Sequence, residues 1–124
     1  MKAEVKFFHS PDFDWESQTP ENPERFEILL QLFVGPVGED SSESFDVLVC
    51  TPSFLSGELG DSGIIDGYHR IIVSRFDREL IESYIHKIVR SVEEATWDEL
   101  AAKVGRLGHW EFEDYDHRDV SDGA

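Results

Sequence analysis

One segment constrains the fold more than any other: residues 77–95 carry the apolar pattern of a long amphipathic helix. The charged side chains of this segment fall largely on the face opposite the apolar one. Asp77 is a natural N-cap, because its carboxylate can accept hydrogen bonds from the free backbone N–H groups of the first turn. The apolar positions are Leu80, Ile81, Tyr84, Ile85, Ile88, Val89 and Val92. A helix with so apolar a face must pack on another element, which the earlier part of the chain has to supply.

A second, shorter helix is predicted between Thr96 and Trp110. Thr96 and Glu99 have the spacing of a capping box, in which each side chain satisfies a free backbone donor of the other residue. Gly105 and Gly108 weaken the end of this helix and are expected to stop it. This helix begins directly after the long helix predicted at residues 77–95.

Four strands are predicted before these helices. Residues 2–8 and 45–50 alternate apolar and polar side chains, and residues 25–34 have apolar side chains on both faces, which is typical of a central strand. Residues 68–75 form a β-branched run that leads into the long helix. Residues 57–67 contain several glycines and acids and are read as a mobile loop.

This order favours an α+β domain, because strands come first and helices follow. We expect an antiparallel sheet of about four strands, with one long and one short C-terminal helix packed on one face. Residues 1–115 are predicted to form a single domain. Residues 116–124 are predicted to be a polar, acidic tail that is disordered.

Hydropathy and cysteine content exclude several classes of protein. No run approaches the roughly 18 apolar residues of a membrane span. The first residues alternate charged and apolar side chains and lack the apolar core of a signal peptide, so we expect a cytoplasmic protein. Cys50 lies within an apolar strand and is interpreted as a small buried side chain. A single cysteine cannot form an internal disulfide.

Charge is the most informative property of the composition, because its distribution is uneven. The net charge is −16, and the whole excess lies in segments read as loops or tail: residues 10–24, 35–44, 57–68 and 111–122. The predicted helices and strands are neutral in sum. Such a chain should repel nucleic acid and anionic membranes and attract basic partners.

Catalytic and metal-binding signatures are not found in the sequence. The glycines at positions 35 and 38 are not followed by the lysine of a phosphate-binding loop. His109, Asp114 and His117 are close in sequence, but a metal site needs rigid elements to hold its ligands. We therefore read these three as part of a solvated acidic segment. The chain is predicted to have no catalytic residues, metal or cofactor, and not to be an enzyme.

The order of short motifs resembles the Immunity protein 8 family (Imm8) of bacterial polymorphic toxin systems. The resemblance covers about residues 1–115. The motifs are Ala3-Glu4-Val5, Gly35-Pro36 with Gly38-Glu39, Glu43-Ser44-Phe45-Asp46, Cys50-Thr51-Pro52, Ile71-Ile72-Val73, Arg75-Phe76-Asp77, Thr96-Trp97 and His109-Trp110-Glu111-Phe112-Glu113. The resemblance implies a small α+β protein that binds and neutralises a toxin encoded by a neighbouring gene. It implies no catalytic residues.

The charge distribution is consistent with that expectation. Nuclease toxins are basic because their substrate is polyanionic, and an acidic inhibitor can be steered to such a surface. We expect acidic loops and flanking aromatic side chains to cover the active cleft of the toxin or an adjacent exosite. The predicted toxin-binding residues are Asp12, Asp14, Trp15, Glu16, Glu111, Glu113, Asp114 and Tyr115.

Two other hypotheses remain open at the level of sequence. The first is an acidic protein-binding or nucleic-acid-mimic module with a different partner. The second is a small enzyme that uses carboxylates or a metal.

Overall fold

Three long strands form the body of the sheet, because each alternates side chains between a buried and a more open face. The computed structural model describes residues 1–113, and in it β1 spans Ala3–His9, β2 spans Glu27–Pro36 and β3 spans Glu43–Cys50. β1 pairs antiparallel with β2, and β2 pairs antiparallel with β3. The predicted first three strands are thus confirmed, with small shifts at their ends.

The fourth strand runs in the direction opposite to the one expected. β4 is short, Arg70–Ile72, and pairs parallel with β3, so the sheet is mixed and the expectation of an antiparallel sheet was wrong at this strand. The physical reason is the connection, because residues 57–67, read as a loop, mostly belong to a helix. This helix, α1, spans Pro52–Ser62 and turns the chain back, so that β4 runs in the same direction as β3 beside its last three residues. A parallel pair needs such a crossover.

Local capping, and not burial, marks the limits of α1. Thr51 caps its start by accepting from the backbone N–H of Phe54, and Pro52 occupies the first turn, where no donor is lost. Gly63 ends the helix in the left-handed conformation with a φ of 78°. No residue of α1 is buried, so the helix has no apolar periodicity that a sequence pattern could show.

The two predicted C-terminal helices are present. α2 spans Arg78–Ser91 and is capped by Asp77, whose carboxylate accepts from the backbone N–H of Leu80. α3 spans Trp97–Val104 and is capped by Thr96; it ends at Gly105, the first of the two glycines expected to stop it, and so does not extend to Trp110. The chain then forms β5, His109–Trp110, which pairs antiparallel with the start of β3 and completes a five-stranded sheet.

Both helices contribute to one hydrophobic core with one face of the sheet. The sheet supplies the alternating buried side chains of β2 and β3, and the helices supply a narrow stripe each. The helical core residues are Ile81, Ile85 and Val89 of α2 and Leu100, Ala101 and Val104 of α3. The apolar face of α2 is therefore wider than the stripe that the core buries. Its remaining apolar side chains, such as Leu80 and Tyr84, are exposed at the surface.

Cys50 is fully buried, as predicted, and burial raises the pKa of its thiol above the ordinary value. Within residues 1–113, no helix has the length and apolar character needed to cross a bilayer. The predicted tail at residues 116–124 lies outside the described residues, as do Asp114 and Tyr115.

Candidate functional site

The segment that joins β1 to β2, residues 10–26, is named here the acidic loop, and its aromatic side chains anchor it. Trp15 is only 3% exposed, and its indole Nε1 donates to Oε2 of Glu82 on α2 at 2.8 Å. Its ring packs edge-on against Phe13 and Phe76. The structure thus buries the ring that was predicted to contact a toxin. Contact with a partner would require the loop to open, so we leave Trp15 out of the proposed interface.

Arg78, in the first turn of α2, fixes the acidic loop from the other side. Its guanidinium donates to the backbone carbonyls of Trp15 and Gln18. The same group lies over two aromatic rings, 5.5 Å from the centre of Trp15 and 5.2 Å from that of Phe76. These contacts hold the loop against the end of the helix, which keeps its exposed acids in a defined place.

Asp12 has a structural role that the sequence pattern did not reveal. Its Oδ2 accepts from the backbone N–H of Leu29 at 2.8 Å, and the hydroxyl of Ser10 donates to the carbonyl of Leu29 at 2.7 Å. Leu29 lies in β2 beyond the end of β1, where a strand partner is missing on that side. The two side chains replace that partner, because a backbone group left unpaired costs free energy. Replacement of Asp12 would therefore mix lost stability with lost binding.

Asp14 and Glu16 differ in how free their carboxylates are. Asp14 builds the turn, since its two oxygens accept from the backbone N–H of Glu16 and the hydroxyl of Ser17. The carboxylate of Glu16 is exposed and has no hydrogen bond or ion pair with the described part of the chain. Glu21 and Glu24 are also exposed on this loop. Glu16, Glu21 and Glu24 are therefore the acids of the loop that a partner can reach without disturbing the fold.

Near the C-terminus, the two predicted carboxylates that the structure describes are both engaged. Oε1 of Glu111 accepts from the backbone N–H of Ser44 at 2.7 Å, which secures β5 beside β3. Oε2 of Glu113 lies 3.1 Å from Nδ1 of His109. Both residues are at the surface, so their remaining carboxylate oxygens can meet a partner.

The carboxylate of Glu43 connects α3 and β5 to β3, a role that the sequence did not indicate. Glu43, the first residue of β3, accepts from two indoles: Nε1 of Trp97 at 2.8 Å and Nε1 of Trp110 at 2.7 Å. Trp110 also stacks on the buried ring of Phe45, with ring centres 6.3 Å apart. The three elements α3, β3 and β5 therefore meet at one acidic side chain.

The structure does not bring the two predicted groups of acids into one patch. The carboxylate of Asp12 accepts from the backbone N–H of Leu29, and that of Glu111 accepts from the backbone N–H of Ser44. Ser44 lies opposite Phe33 of β2. Leu29 and Phe33 are separated by roughly 13 Å along the strand, at about 3.3 Å per residue. The acidic loop and the C-terminal acids thus lie toward opposite ends of β2.

An apolar groove, named here the edge groove, was not predicted. It has a volume of about 880 Å³ and runs between residues 67–74, which include β4, and the two C-terminal helices. Helix α2 contributes Leu80, Tyr84 and Ile88, which are the surplus apolar positions of that helix, and the end of α3 contributes Lys103. The width of the apolar face of α2 was the signal for this site. Sequence reasoning assigned the whole face to the core.

The described residues contain no group of three or more His, Cys, Asp or Glu side chains placed to hold a metal ion. Of the three residues weighed earlier as metal ligands, only His109 is described, and its contacts are the Glu113 carboxylate and an edge contact with the ring of His69. Asp114 and His117 lie outside the described residues.

The chain was compared with models of known protein families. The family model described as Imm8, Immunity protein 8, matches residues 3–115 of the chain. Searches of curated proteins and of solved structures returned no match.

Proposed function

The chain belongs to the Immunity protein 8 family, and from this premise we propose that it binds and neutralises a toxin protein encoded by a neighbouring gene. The family match carries the proposal, because it extends over the strands, helices and terminal motif that build the fold. An immunity protein acts by binding and needs no catalytic group. The engaged carboxylates described above are accordingly given structural or partner-binding roles, not catalytic ones.

We further propose that the toxin is basic and of the nuclease type. The net charge of −16 would repel a nucleic acid and attract a surface that binds one. The acids of the acidic loop support this proposal, because Glu16, Glu21 and Glu24 are exposed on a segment that Trp15 and Arg78 hold in place. A fixed acidic surface can guide the encounter without a large ordering cost.

In this account the acidic loop covers the active cleft of the toxin or an exosite beside it. Asp12 and Asp14 shape the loop, and Glu16 presents charge. Glu111 and Glu113 form a separate contact toward the other end of β2, where Asp114 and Tyr115 follow in sequence. The separation of the two groups implies that a toxin touching both must span the sheet.

Charge reversal at the acidic loop should slow association with the toxin. We expect the Glu16→Lys/Glu21→Lys variant to lower the association rate constant about tenfold at low salt, because steering depends on the local field. The rate constant of the wild-type protein should itself fall steeply as salt rises to physiological concentration. Stopped-flow mixing with the catalytically inactivated toxin domain measures both effects.

The matched control is Glu58→Lys/Asp61→Lys, which makes the same change of charge on the exposed side of α1. It should have a much smaller effect than the loop variant. An association rate that ignores salt, or that both variants lower equally, would refute steering by the acidic loop. Far-UV circular dichroism confirms that each variant is folded.

A further inference from the structure

The edge groove contains more apolar surface than the fold uses. Leu80 and Tyr84, one turn apart on α2, are 56% and 50% exposed, and Ile88 follows on the same stripe. They stand beside the stripe of α2 that packs into the core. Scattered apolar side chains are ordinary at a protein surface, whereas apolar side chains gathered along a concave site indicate a binding surface.

The floor of the edge groove offers backbone hydrogen-bonding groups. β4 is at the edge of the sheet, and β3 is its only strand partner among the described residues. The carbonyl of His69 accepts from Leu48, and the N–H of Val73 donates to Cys50, both at 2.9 Å. The backbone N–H and C=O groups of successive residues point to alternate sides of a strand. Those of His69 and Val73 face β3, so those of Arg70 and Ile72 point away from β3. An extended segment could pair with them there.

The charge of the edge groove is opposite to that of the chain. Its lining includes three basic side chains, Arg70, Lys103 and Arg106, and no acidic one, whereas the chain as a whole carries 27 acids against 11 bases. Arg70 and Lys103 form ion pairs with Glu27 and Glu94, and Arg106 is exposed. The groove therefore favours an apolar occupant that brings a carboxylate of its own.

We propose that the edge groove binds an extended, apolar segment of the toxin that carries an acidic side chain and adds as a strand beside β4. The backbone of this segment pairs with Arg70 and Ile72, its apolar side chains pack on Leu80 and Tyr84, and its carboxylate meets Arg106. Strand addition to an exposed edge is a general mode of peptide recognition. The proposal rests on the proposed function, which supplies the toxin as partner. A second copy of this chain is a poor occupant, because two molecules of net charge −16 repel each other.

Truncation of the apolar wall tests the proposal. The Leu80→Ala/Tyr84→Ala variant should weaken binding to the catalytically inactivated toxin about 30-fold or more, as loss of central contacts does at other interfaces. The matched control, Ser83→Ala/Lys87→Ala, truncates exposed positions on the polar side of the same helix and should leave affinity unchanged. Isothermal titration calorimetry measures both, and circular dichroism verifies the helix content.

Hydrogen exchange gives an independent reading of strand addition. The backbone amides of Arg70 and Ile72 should exchange fast in the free protein and at least about tenfold more slowly in the complex, because pairing removes them from water.

The Arg106→Glu variant should weaken binding about tenfold, and Lys87→Glu, on the polar side of α2, should have little effect.

The outcomes separate the two proposals. Full affinity in the apolar truncation, or unchanged exchange at Ile72 in the complex, would overturn the edge groove as a toxin site and leave the immunity role intact. Absence of any complex between the wild-type protein and the toxin would overturn both. A wild-type dimer that the truncation converts to monomer would assign the groove to a second copy and overturn the toxin segment.

Discussion

The Trp15→Ala variant is expected to lose about 3–5 kcal/mol of the free energy of unfolding, as removal of a buried aromatic side chain does elsewhere. Trp15 is almost fully buried among the rings of Phe8, Phe13 and Phe76, so its removal leaves a cavity where the acidic loop meets α2. It also removes the indole donor to Glu82. Total stabilities of domains are about 5–15 kcal/mol, so this loss is large. Urea unfolding followed by far-UV circular dichroism measures it.

A partial substitution separates the ring from its hydrogen bond. Trp15→Phe keeps an aromatic ring and loses only the indole donor and some volume, so it should lose about 1–2 kcal/mol. Glu16→Ala, at the exposed neighbouring position, should change stability by less than about 0.5 kcal/mol. A Trp15→Ala variant as stable as the wild type would contradict the anchoring of the acidic loop.

Glu43→Leu should lose about 2–4 kcal/mol, because one carboxylate accepts the hydrogen bonds of two indoles. Hydrogen bonds to charged groups contribute roughly 1.5–3 kcal/mol each. Trp97 and Trp110 are only partly buried, so water can partly replace the lost acceptor and the expected loss is smaller than the sum of the two bonds. The loss should fall on the junction of α3, β3 and β5. Amide hydrogen exchange should therefore show faster local opening at Trp97 and Trp110 than in the wild-type protein.

Two controls accompany this variant. Glu43→Gln retains one acceptor oxygen of similar shape but presents an amide donor to the second indole, so its loss should be intermediate. Glu39→Leu removes an exposed acid from the preceding turn and should be nearly neutral. Equal stability of Glu43→Leu and Glu39→Leu would mean that the two indoles do not depend on Glu43.

Features set by neighbouring residues were predictable from the sequence. The caps at Asp77 and Thr96 involve donors only a few residues away, and the alternation in β1 to β3 is visible within each strand. The family resemblance was predictable for a similar reason, because it rests on the order of short motifs. The family match over residues 3–115 confirms it.

Features set by distant residues were not predictable. Glu43 and its two indole donors are 54 and 67 positions apart in the chain, and Trp15 and Glu82 are 67 positions apart. α1 was missed because none of its residues is buried, although Thr51 and Pro52 carry a helix-start signal. Since the crossover helix sets the direction of β4, that one omission also reversed the expected pairing of β4 with β3.

The most direct test of the immunity role is survival of cells that produce the neighbouring toxin. Expressed together with the wild-type chain, the toxin should be held in a stable complex that co-purifies, and the cells should grow. The toxin should stop growth when it is expressed alone, or with a variant of this chain in which the acidic loop and the edge groove are both altered. Cell death despite abundant, folded wild-type protein, with no complex recovered, would contradict the central claim.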